Sequence, residues 1–248
     1  VAGSDSGGGA GIQADIKAAS YFKVFATTAV TAVTAQNTLG VQSIFPIPEI
    51  EIQKQLRSVI SDLAPDLIKI GMLGTREVVD CVAQEIIPNK IILDPVMVAT
   101  SGDKLVDEGC IKGIKEKLVP NSYIVTPNSF EAEILSGKKI SSIEDQEYAA
   151  QEIKNLGAEN VLVKGGHLQD GTNLVDILVD ETGKSRQFKS QRIDSNNTHG
   201  TGCTLSTAIA SSVAKGIALE KAISDSISYV QRGIKNAPNL GSGNGPLM

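Results

Sequence analysis

One glycine-rich turn carries the residues whose types and spacing best suit chemistry. Residues 197–206 read Asn-Thr-His-Gly-Thr-Gly-Cys-Thr-Leu-Ser and run into an alanine-rich helical segment. Glycines before a helix expose backbone N–H groups and the helix dipole adds positive charge, so this turn suits the charge on a transferring phosphoryl group. Cys203 in the first helical turn predicts a thiol pKa below the free value of about 8.5, and its thiolate would take a proton from an attacking hydroxyl. A helix cap with a small buried thiol explains the turn equally well.

A second glycine cluster lies at residues 4–11, which read Ser-Asp-Ser-Gly-Gly-Gly-Ala-Gly. No lysine follows these glycines as it does in a Walker A loop, and the spacing Gly-x-Gly-x-x-Gly of dinucleotide-binding proteins is missing. The cluster therefore indicates only that something polar approaches the backbone closely.

The other cysteines and the histidines carry weaker signals. Cys81 and Cys110 occur among apolar residues, so we expect both in the core. Three cysteines without a Cys-x-x-Cys pair fit a reducing compartment, and we expect a cytoplasmic protein. His167 and His199 lie in separate glycine-rich loops and lack the ligand spacing of a zinc site.

Charge and hydropathy argue against two classes of partner. The chain has 248 residues and a formal net charge of −5, with no tryptophan and no basic block, whereas nucleic acid binding needs clustered Lys and Arg. The longest apolar runs are strand-sized and too short to span a bilayer. The length and the ordinary content of 41% hydrophobic residues predict one globular domain over residues 1–248.

Strand-like and helix-like segments alternate along the chain and supply the scaffold for these groups. The strand-like segments are residues 1–3, 27–35, 67–70, 91–94, 123–126, 161–164, 174–180 and 186–192. The helical segments are residues 11–22, 52–63, 75–87, 141–156, 202–214 and 219–236. This order predicts an α/β fold with a mainly parallel central sheet flanked by helices, and the last two strands predict one antiparallel hairpin. Because such sheets bind ligands beyond the carboxyl ends of their strands, we expect the polar motifs after the strands to meet at one edge.

Several motifs resemble, in order, those of one enzyme family. They are Ala2-Gly3-Ser4-Asp5 with the glycine run, Gly11-Ile12-Gln13-Ala14-Asp15, Thr34-Ala35-Gln36-Asn37-Thr38, Lys69-Ile70-Gly71-Met72-Leu73, Leu93-Asp94-Pro95-Val96-Met97, Thr126-Pro127-Asn128 with Glu131, Lys164-Gly165-Gly166-His167, and residues 198–204. Together they resemble the hydroxymethylpyrimidine and hydroxymethylpyrimidine-phosphate kinases of thiamine biosynthesis, which have the ribokinase-like fold. The last motif is specific, because most ribokinase-like relatives have aspartate where this chain has Cys203.

The resemblance implies a role for each matching residue of the substrate site. Cys203 would be the catalytic base, and the N–H groups around Gly200, Thr201 and Gly202 would form the anion hole. Gln36 would read the pyrimidine, because an amide offers both a donor and an acceptor to a ring nitrogen and its neighbouring amine. The other implied substrate contacts, each of which a core or solvated position also explains, are Gly3, Asp15, Met72 and Val96.

The resemblance also implies a nucleotide site and a metal site. ATP would contact Asn128, Lys164 and Thr198. Glu131, through water, and Asp94 would hold Mg²⁺ in the sparse oxygen site that this ion prefers. The position of Glu131 in a first helical turn also suits a carboxylate without any metal.

The implied reaction is ATP-dependent phosphorylation of 4-amino-5-hydroxymethyl-2-methylpyrimidine and of its monophosphate, by a homodimeric enzyme. One alternative is a pyridoxine or pyridoxal kinase, which acts on another ring with a hydroxymethyl arm. A second is a binding protein without turnover, and a Rossmann oxidoreductase is disfavoured by the missing glycine spacing. Residues 241–246 carry Ser and Asn where relatives have histidines, so we expect no chemistry from this tail.

Overall fold

Strands and helices alternate in the computed structural model, which describes residues 1–87, 89–166 and 173–247. The strands are β1 (Ala2–Asp5), β2 (Val30–Asn37), β3 (Gly40–Pro46), β4 (Ile68–Ile70), β5 (Ile91–Leu93), β6 (Ile124–Val125), β7 (Asn160–Val163), β8 (Asn173–Val179) and β9 (Ser185–Gln191). The helices are α1 (Gly11–Tyr21), α2 (Glu49–Leu63), α3 (Arg76–Ile86), α4 (Glu108–Gly113), α5 (Ser129–Ser136), α6 (Ile143–Asn155), α7 (Thr201–Ala214) and α8 (Leu219–Lys235). A π-helical turn, Ile114–Leu118, and a 3₁₀ turn, Val119–Asn121, follow α4.

The strands form two sheets that meet at β1 and β4. The larger sheet has the order β4-β5-β6-β7-β8-β9, parallel from β4 to β7 and antiparallel from β7 to β9. The smaller has the order β1-β2-β3, with β1 parallel and β3 antiparallel to β2. The Val1 nitrogen donates to the Lys69 oxygen at 2.8 Å, and the Gly71 nitrogen donates to the Val1 oxygen at 2.9 Å, which places β1 beside β4. The expected α/β fold and the antiparallel hairpin of β8 and β9 are confirmed.

Apolar side chains cover both faces of the sheet. Along β5, Ile91 and Leu93 belong to one buried layer and Ile92 to the other, and all three are fully buried. The first layer includes side chains of α2, α3 and α6, and the second includes Ile209 of α7 and Ile223 of α8. A parallel strand buried on both faces has a continuous apolar sequence, and such runs are what made these strands predictable.

The layered arrangement brings the polar motifs to one edge. Asp94 follows β5, Lys164 follows β7, and Asp5 ends β1. Helix α7 begins at the same edge, because Ser206 in its second turn donates to the Asp94 carboxylate at 3.4 Å. The expected clustering of these motifs is therefore present in the fold.

The structure contains one strand, β3, that the hydropathy pattern does not predict. Its seven residues mix polar and apolar types and most of them are exposed, so no buried apolar run marks it. It exists because its backbone pairs with β2, from Asn37 opposite Gly40 to Ala32 opposite Pro46.

Two local predictions are corrected. The helical segment predicted from residue 141 begins later, because Ser142 is the N-cap of α6 and accepts from the Asp145 nitrogen at 3.1 Å. Cys110 is fully buried as expected, whereas Cys81 is only partly buried and its thiol donates to the Glu49 carbonyl at 3.5 Å. Among the described residues, no helix is long and apolar enough to cross a membrane.

Candidate active site

Cys203 occupies the first turn of α7, at the carboxyl edge of the sheet. Burial raises the pKa of its thiol to about 11, Lys69 opposes this rise, and the carboxylates of Asp15 and Asp94 add to it. A hydrogen bond with the backbone of Gly11 also favours the thiolate. The expectation of a lowered thiol pKa is therefore wrong for the protein without substrates, because desolvation outweighs the helix N-terminus.

The turn before Cys203 lies directly against the first glycine cluster. Gly200, the N-cap of α7, has a φ of 79°, and a Cβ at this position would overlap the carbonyl oxygen of Gly9. Only glycine satisfies both the left-handed backbone and this close approach. The Thr198 carbonyl closes the turn by accepting from the nitrogen and hydroxyl of Thr201, at 3.3 and 3.1 Å. The ATP contact expected of Thr198 stays a prediction.

A buried pair of Asp5 and His199 fastens the two glycine segments together. The Asp5 carboxylate lies 2.8 Å from His199 Nε2 and accepts from the backbone nitrogens of Gly7, Gly9 and Ala10 at 2.7, 3.0 and 2.8 Å. Burial alone would raise the pKa of Asp5, but these donors outweigh it and the pKa is lowered. An ionised Asp5 is acceptor-only, so His199 Nε2 carries the proton. The other histidine of the sequence, His167, lies outside the described residues.

The tail of the chain supports His199 from the other side. The His199 nitrogen donates to the Gly245 carbonyl at 3.0 Å, and the Gly245 nitrogen donates to the Asn196 carbonyl at 3.1 Å. The Asn244 nitrogen donates to the Thr38 carbonyl at 2.9 Å, between β2 and β3. Backbone contacts of the tail thus link the α7 turn to the end of β2.

A lysine–aspartate pair lies beside Gly202 at the start of α7. Lys164 Nζ is 3.1 Å from Asp94 Oδ1, and the two side chains are 15% and 2% exposed. A Cβ on Gly202 would lie 3.2 Å from Lys164 Nζ, so the ammonium faces the expected anion hole. Burial lowers the pKa of Lys164, but Asp94 and Glu131 more than reverse this, and the lysine stays charged. The start of α7 therefore brings Cys203 and the glycine turn close to Lys164. The roles expected for them, as base, anion hole and phosphate contact, stay predictions.

Asn128 and Glu131 form a reciprocal capping box at the start of α5. Asn128 Oδ1 accepts from the Glu131 nitrogen at 2.9 Å, and Glu131 Oε2 accepts from the Asn128 nitrogen at 2.8 Å. Glu131 is 3% exposed, and burial raises its pKa to about 7, with Asp94 adding to the rise and Lys164 opposing it. Glu131 therefore caps the start of α5, a role that needs no metal, and its metal role stays a prediction.

The expected pyrimidine pocket residues lie around the ends of β1, β2 and β4. A Cβ on Gly3 would lie 3.3 Å from Met72 Sδ, so the missing side chain leaves room beside this buried methionine. The Gln36 backbone exchanges two hydrogen bonds with the Ser6 hydroxyl at 2.8 and 2.9 Å, and Gln36 Oε1 accepts from Thr34 Oγ1 at 3.1 Å. These contacts hold the Gln36 backbone and place its amide beside Thr34, whose hydroxyl also lies 3.0 Å from the Ser4 carbonyl. Val96 is half-buried just after β5.

Asp15 is held by protein groups rather than open to solvent. Its carboxylate oxygens lie 2.9 and 3.1 Å from Lys69 Nζ, and Oδ1 accepts from Thr207 Oγ1 at 2.6 Å. The substrate contact implied for Asp15 stays a prediction, while a solvated surface position is excluded by its 14% side-chain exposure.

Sequence reasoning missed several residues that organise this site. Asp5, Lys69 and His199 stand in motifs that were recognised, but no pairing could be inferred because the partners are far apart in sequence. Lys69 carries the clearest signal, because a lysine between Ile68 and Ile70 in a buried strand needs a partner.

Comparison with known proteins agrees with this geometry. The model of the family "Phosphomethylpyrimidine kinase" matches residues 5–248. The chain belongs to the phosphomethylpyrimidine kinase family. It is therefore a kinase with ATP as phosphoryl donor.

Individual relatives cover nearly the whole chain. It is 42% identical over 249 residues to the hydroxymethylpyrimidine/phosphomethylpyrimidine kinase of Bacillus subtilis, covering 99% of this chain and 92% of that protein. It is 46% identical over 250 residues to the thiamine biosynthesis bifunctional protein ThiED of Geobacter sulfurreducens, covering 100% of this chain and 51% of that protein. The ADP complex of Bacillus subtilis pyridoxal kinase superposes with a TM-score of 0.91 at 34% identity, covering 99% and 94% of the two chains.

The lowered pKa of Asp5 predicts that the stability of this kinase depends on pH. Because the folded-state pKa of Asp5 is lowered, its contribution is fully present above the unfolded value of about 3.9 and is lost as pH falls through the folded value. Asp5→Asn should lower the free energy of unfolding at pH 7 by about 2–3 kcal/mol, since charged acceptors of backbone N–H groups are lost. The deficit should shrink below pH 4.

Urea unfolding at pH 7, 5 and 3.5 measures this effect. Asp62→Asn, at an exposed position of α2, is the matched control and should change little at any of these pH values. An Asp5→Asn deficit that is equal at all three pH values would contradict an ionised Asp5 in the folded protein.

Proposed function

We propose that this kinase transfers the γ-phosphoryl group of ATP to the hydroxymethyl oxygen of 4-amino-5-hydroxymethyl-2-methylpyrimidine, and then phosphorylates the monophosphate to the diphosphate, in thiamine biosynthesis. The observation that carries the proposal is the convergence of Cys203, Gly202 and the Lys164–Asp94 pair at one end of α7. The names of the two sequence relatives agree with this reaction.

The proposed first step needs one proton acceptor. As the hydroxymethyl oxygen bonds to the γ-phosphorus, the bond from that phosphorus to the β–γ bridging oxygen breaks and ADP leaves. The hydroxyl proton passes to the sulfur of Cys203 in its thiolate form, so only protein molecules in which this thiol is ionised carry out the step. The backbone N–H groups of Gly200–Cys203 and the Lys164 ammonium stabilise the charge on the transferring group.

The nucleotide and metal contacts are proposed on the same edge. Lys164 would contact the ATP phosphates, with Asn128 and Thr198 beside them. Mg²⁺ would lie near Asp94 and Glu131, because the Asp94 carboxylate adds to the rise in the pKa of buried Glu131 and a cation would oppose that rise. Glu131 already accepts backbone N–H groups with both oxygens, at 2.8 Å from Asn128 and 3.4 Å from Met97. It would therefore act through water, as Mg²⁺ commonly allows.

The pyrimidine would lie between Gly3, Met72 and Val96, with its amine and ring nitrogen on the Gln36 amide. Asp15 would complete the substrate site. The Gln36 amide carries both an acceptor for the exocyclic amine and a donor for the ring nitrogen. This pair of contacts favours the aminopyrimidine over pyridoxal, the substrate named for the structural neighbour, which has no such amine.

Replacement of Cys203 tests the base. Cys203→Ala should lower kcat for the hydroxymethylpyrimidine by about 10²–10⁴-fold, the range of general base catalysis. The monophosphate should lose less, because its attacking oxygen is already deprotonated above about pH 6. ADP release and product formation, with each acceptor and Mg-ATP, give both rates, and EDTA should abolish them.

Cys81→Ala is the matched control, since this thiol lies on α3 and away from the edge, and it should retain full activity. Wild-type turnover of pyridoxal alone would assign the rival kinase. Tight pyrimidine binding without any ADP release would favour the binding protein, and an undiminished rate in Cys203→Ala would remove the base.

Replacement of Gln36 tests ring recognition. Gln36→Leu removes both amide contacts at nearly constant volume, so KM for the hydroxymethylpyrimidine should rise by about 10–100-fold, the cost of leaving a polar ring edge unpaired. Steady-state kinetics with the pyrimidine and with pyridoxal measure the change. The KM for pyridoxal should move less, and equal losses for both rings would argue against a specificity role.

We also propose a cytoplasmic homodimer. The cysteines are free thiols, which fits a reducing compartment. The ribbon of β2 and β3 exposes Val33, Ile44 and Phe45 by 46%, 38% and 65%, with Val33 opposite Phe45 in register. An apolar ribbon of this kind suits a second copy of the chain.

Charge placed on the ribbon tests the dimer. Sedimentation should give twice the chain mass of 26.0 kDa for the wild type and the single mass for Phe45→Glu, because a carboxylate would be buried at the interface. Phe25→Glu, at a position 86% exposed outside the ribbon, is the control and should leave the dimer intact. A monomeric wild type would refute the proposal.

A further inference from the structure

The ion pair of Lys69 and Asp15 is hydrogen-bonded to α7, the helix that carries the proposed base. Lys69 is in β4, its side chain is 8% exposed, and its ion pair with Asp15 of α1 has a shortest distance of 2.9 Å. Asp15 is anchored in turn by Thr207, which lies one helical turn after Cys203 on α7. The pair is therefore fixed from three elements, β4, α1 and α7.

Gly71 shows where the ammonium points. A Cβ on Gly71 would lie 3.1 Å from Lys69 Nζ, so the lysine folds over the last residues of β4 toward the carboxyl edge. Burial alone would lower the pKa of Lys69, but Asp15, Cys203 and Asp94 reverse this and raise it, so the lysine stays protonated. A fixed positive charge is thus held beside Cys203.

The charges of four groups act on the thiol. Three of them are Lys69, Asp15 and Asp94, and the fourth is Lys164, whose Nζ lies 3.1 Å from Asp94 Oδ1. Among them Lys69 has the largest effect in favour of the thiolate, while Asp15 and Asp94 oppose it. In a buried site such charges are only weakly screened.

We propose that Lys69 is a positioning residue that stabilises the Cys203 thiolate through space, and that Asp15 holds its ammonium in place while moderating its field. The proposal rests on the proposed role of Cys203 as base. The sequence motif containing Lys69 showed no such role, because the partners come from three separate segments.

The two members of the pair have opposite electrostatic effects. Lys69→Met removes the positive charge and leaves Asp15 facing the thiol, so the thiolate becomes less favourable. Asp15→Asn removes the negative charge and keeps the side-chain size, and its amide oxygen can still accept from the Lys69 ammonium, so the thiolate becomes more favourable. A purely structural role would shift both variants in the same direction.

Alkylation of Cys203 with iodoacetamide, followed by peptide mass spectrometry between pH 6.5 and 10, measures the thiolate directly. The rate at pH 8 should fall about tenfold in Lys69→Met, rise about tenfold in Asp15→Asn, and stay near wild type in Lys69→Arg. Cys81 in the same samples is the internal control and should react equally in all variants. Thermal unfolding checks that each variant is folded.

Same-sign changes in the two variants, or an unchanged rate in Lys69→Met, would overturn the proposal. If Lys69→Met does not fold, Asp15→Asn together with Lys69→Arg still decides the sign. The pH profile of kcat separates this proposal from the proposed function. Alkylation rates that shift as expected, with a kcat profile that does not follow them, would confirm the electrostatic pair and reject Cys203 as the base.

Discussion

The close contact between two glycine segments is the constraint on which the rest of the site depends. The α7 turn at Gly200 and the first glycine cluster at Gly9 approach so closely that no side chain fits between them. Asp5 and His199 convert this contact into a fixed joint, because a buried carboxylate that accepts several N–H groups has few alternative positions. The direction in which α7 points its first turn follows from this joint.

Charged groups of opposite sign are paired near Cys203. Two lysine–aspartate pairs, Lys69–Asp15 and Lys164–Asp94, interact electrostatically with Cys203, and each lysine is kept charged by its carboxylate. Burying such a pair costs desolvation free energy, which the attraction between its partners offsets. Burial raises the pKa of the Cys203 thiol to about 11, so most of this thiol is protonated at neutral pH.

The fold, and the residues that meet at the carboxyl edge of the sheet, could be predicted from the sequence. The contacts between those residues could not. Continuous apolar runs marked β5 and β7 because parallel strands are buried on both faces, whereas the exposed β3 left no such trace. The motifs placed Cys203 and Lys164 at one edge through the rule for parallel sheets. Pairings such as Asp15 with Lys69 could not be predicted, because they depend on which side chains the packed helices bring within 3 Å. The thiol pKa was predicted with the wrong sign, since burial is a property of the fold and not of the local turn.

The joint between Asp5 and His199 closes a loop of 194 residues. Both glycine segments are therefore incomplete until almost the entire domain has left the ribosome, and the tail at Gly245 adds its support later still. Contacts between residues this distant form late, after the local strand–helix units have packed. A partly synthesised chain can therefore fold its sheet before the two glycine segments meet, and the turn before Cys203 takes its final position only after residue 199 has been added.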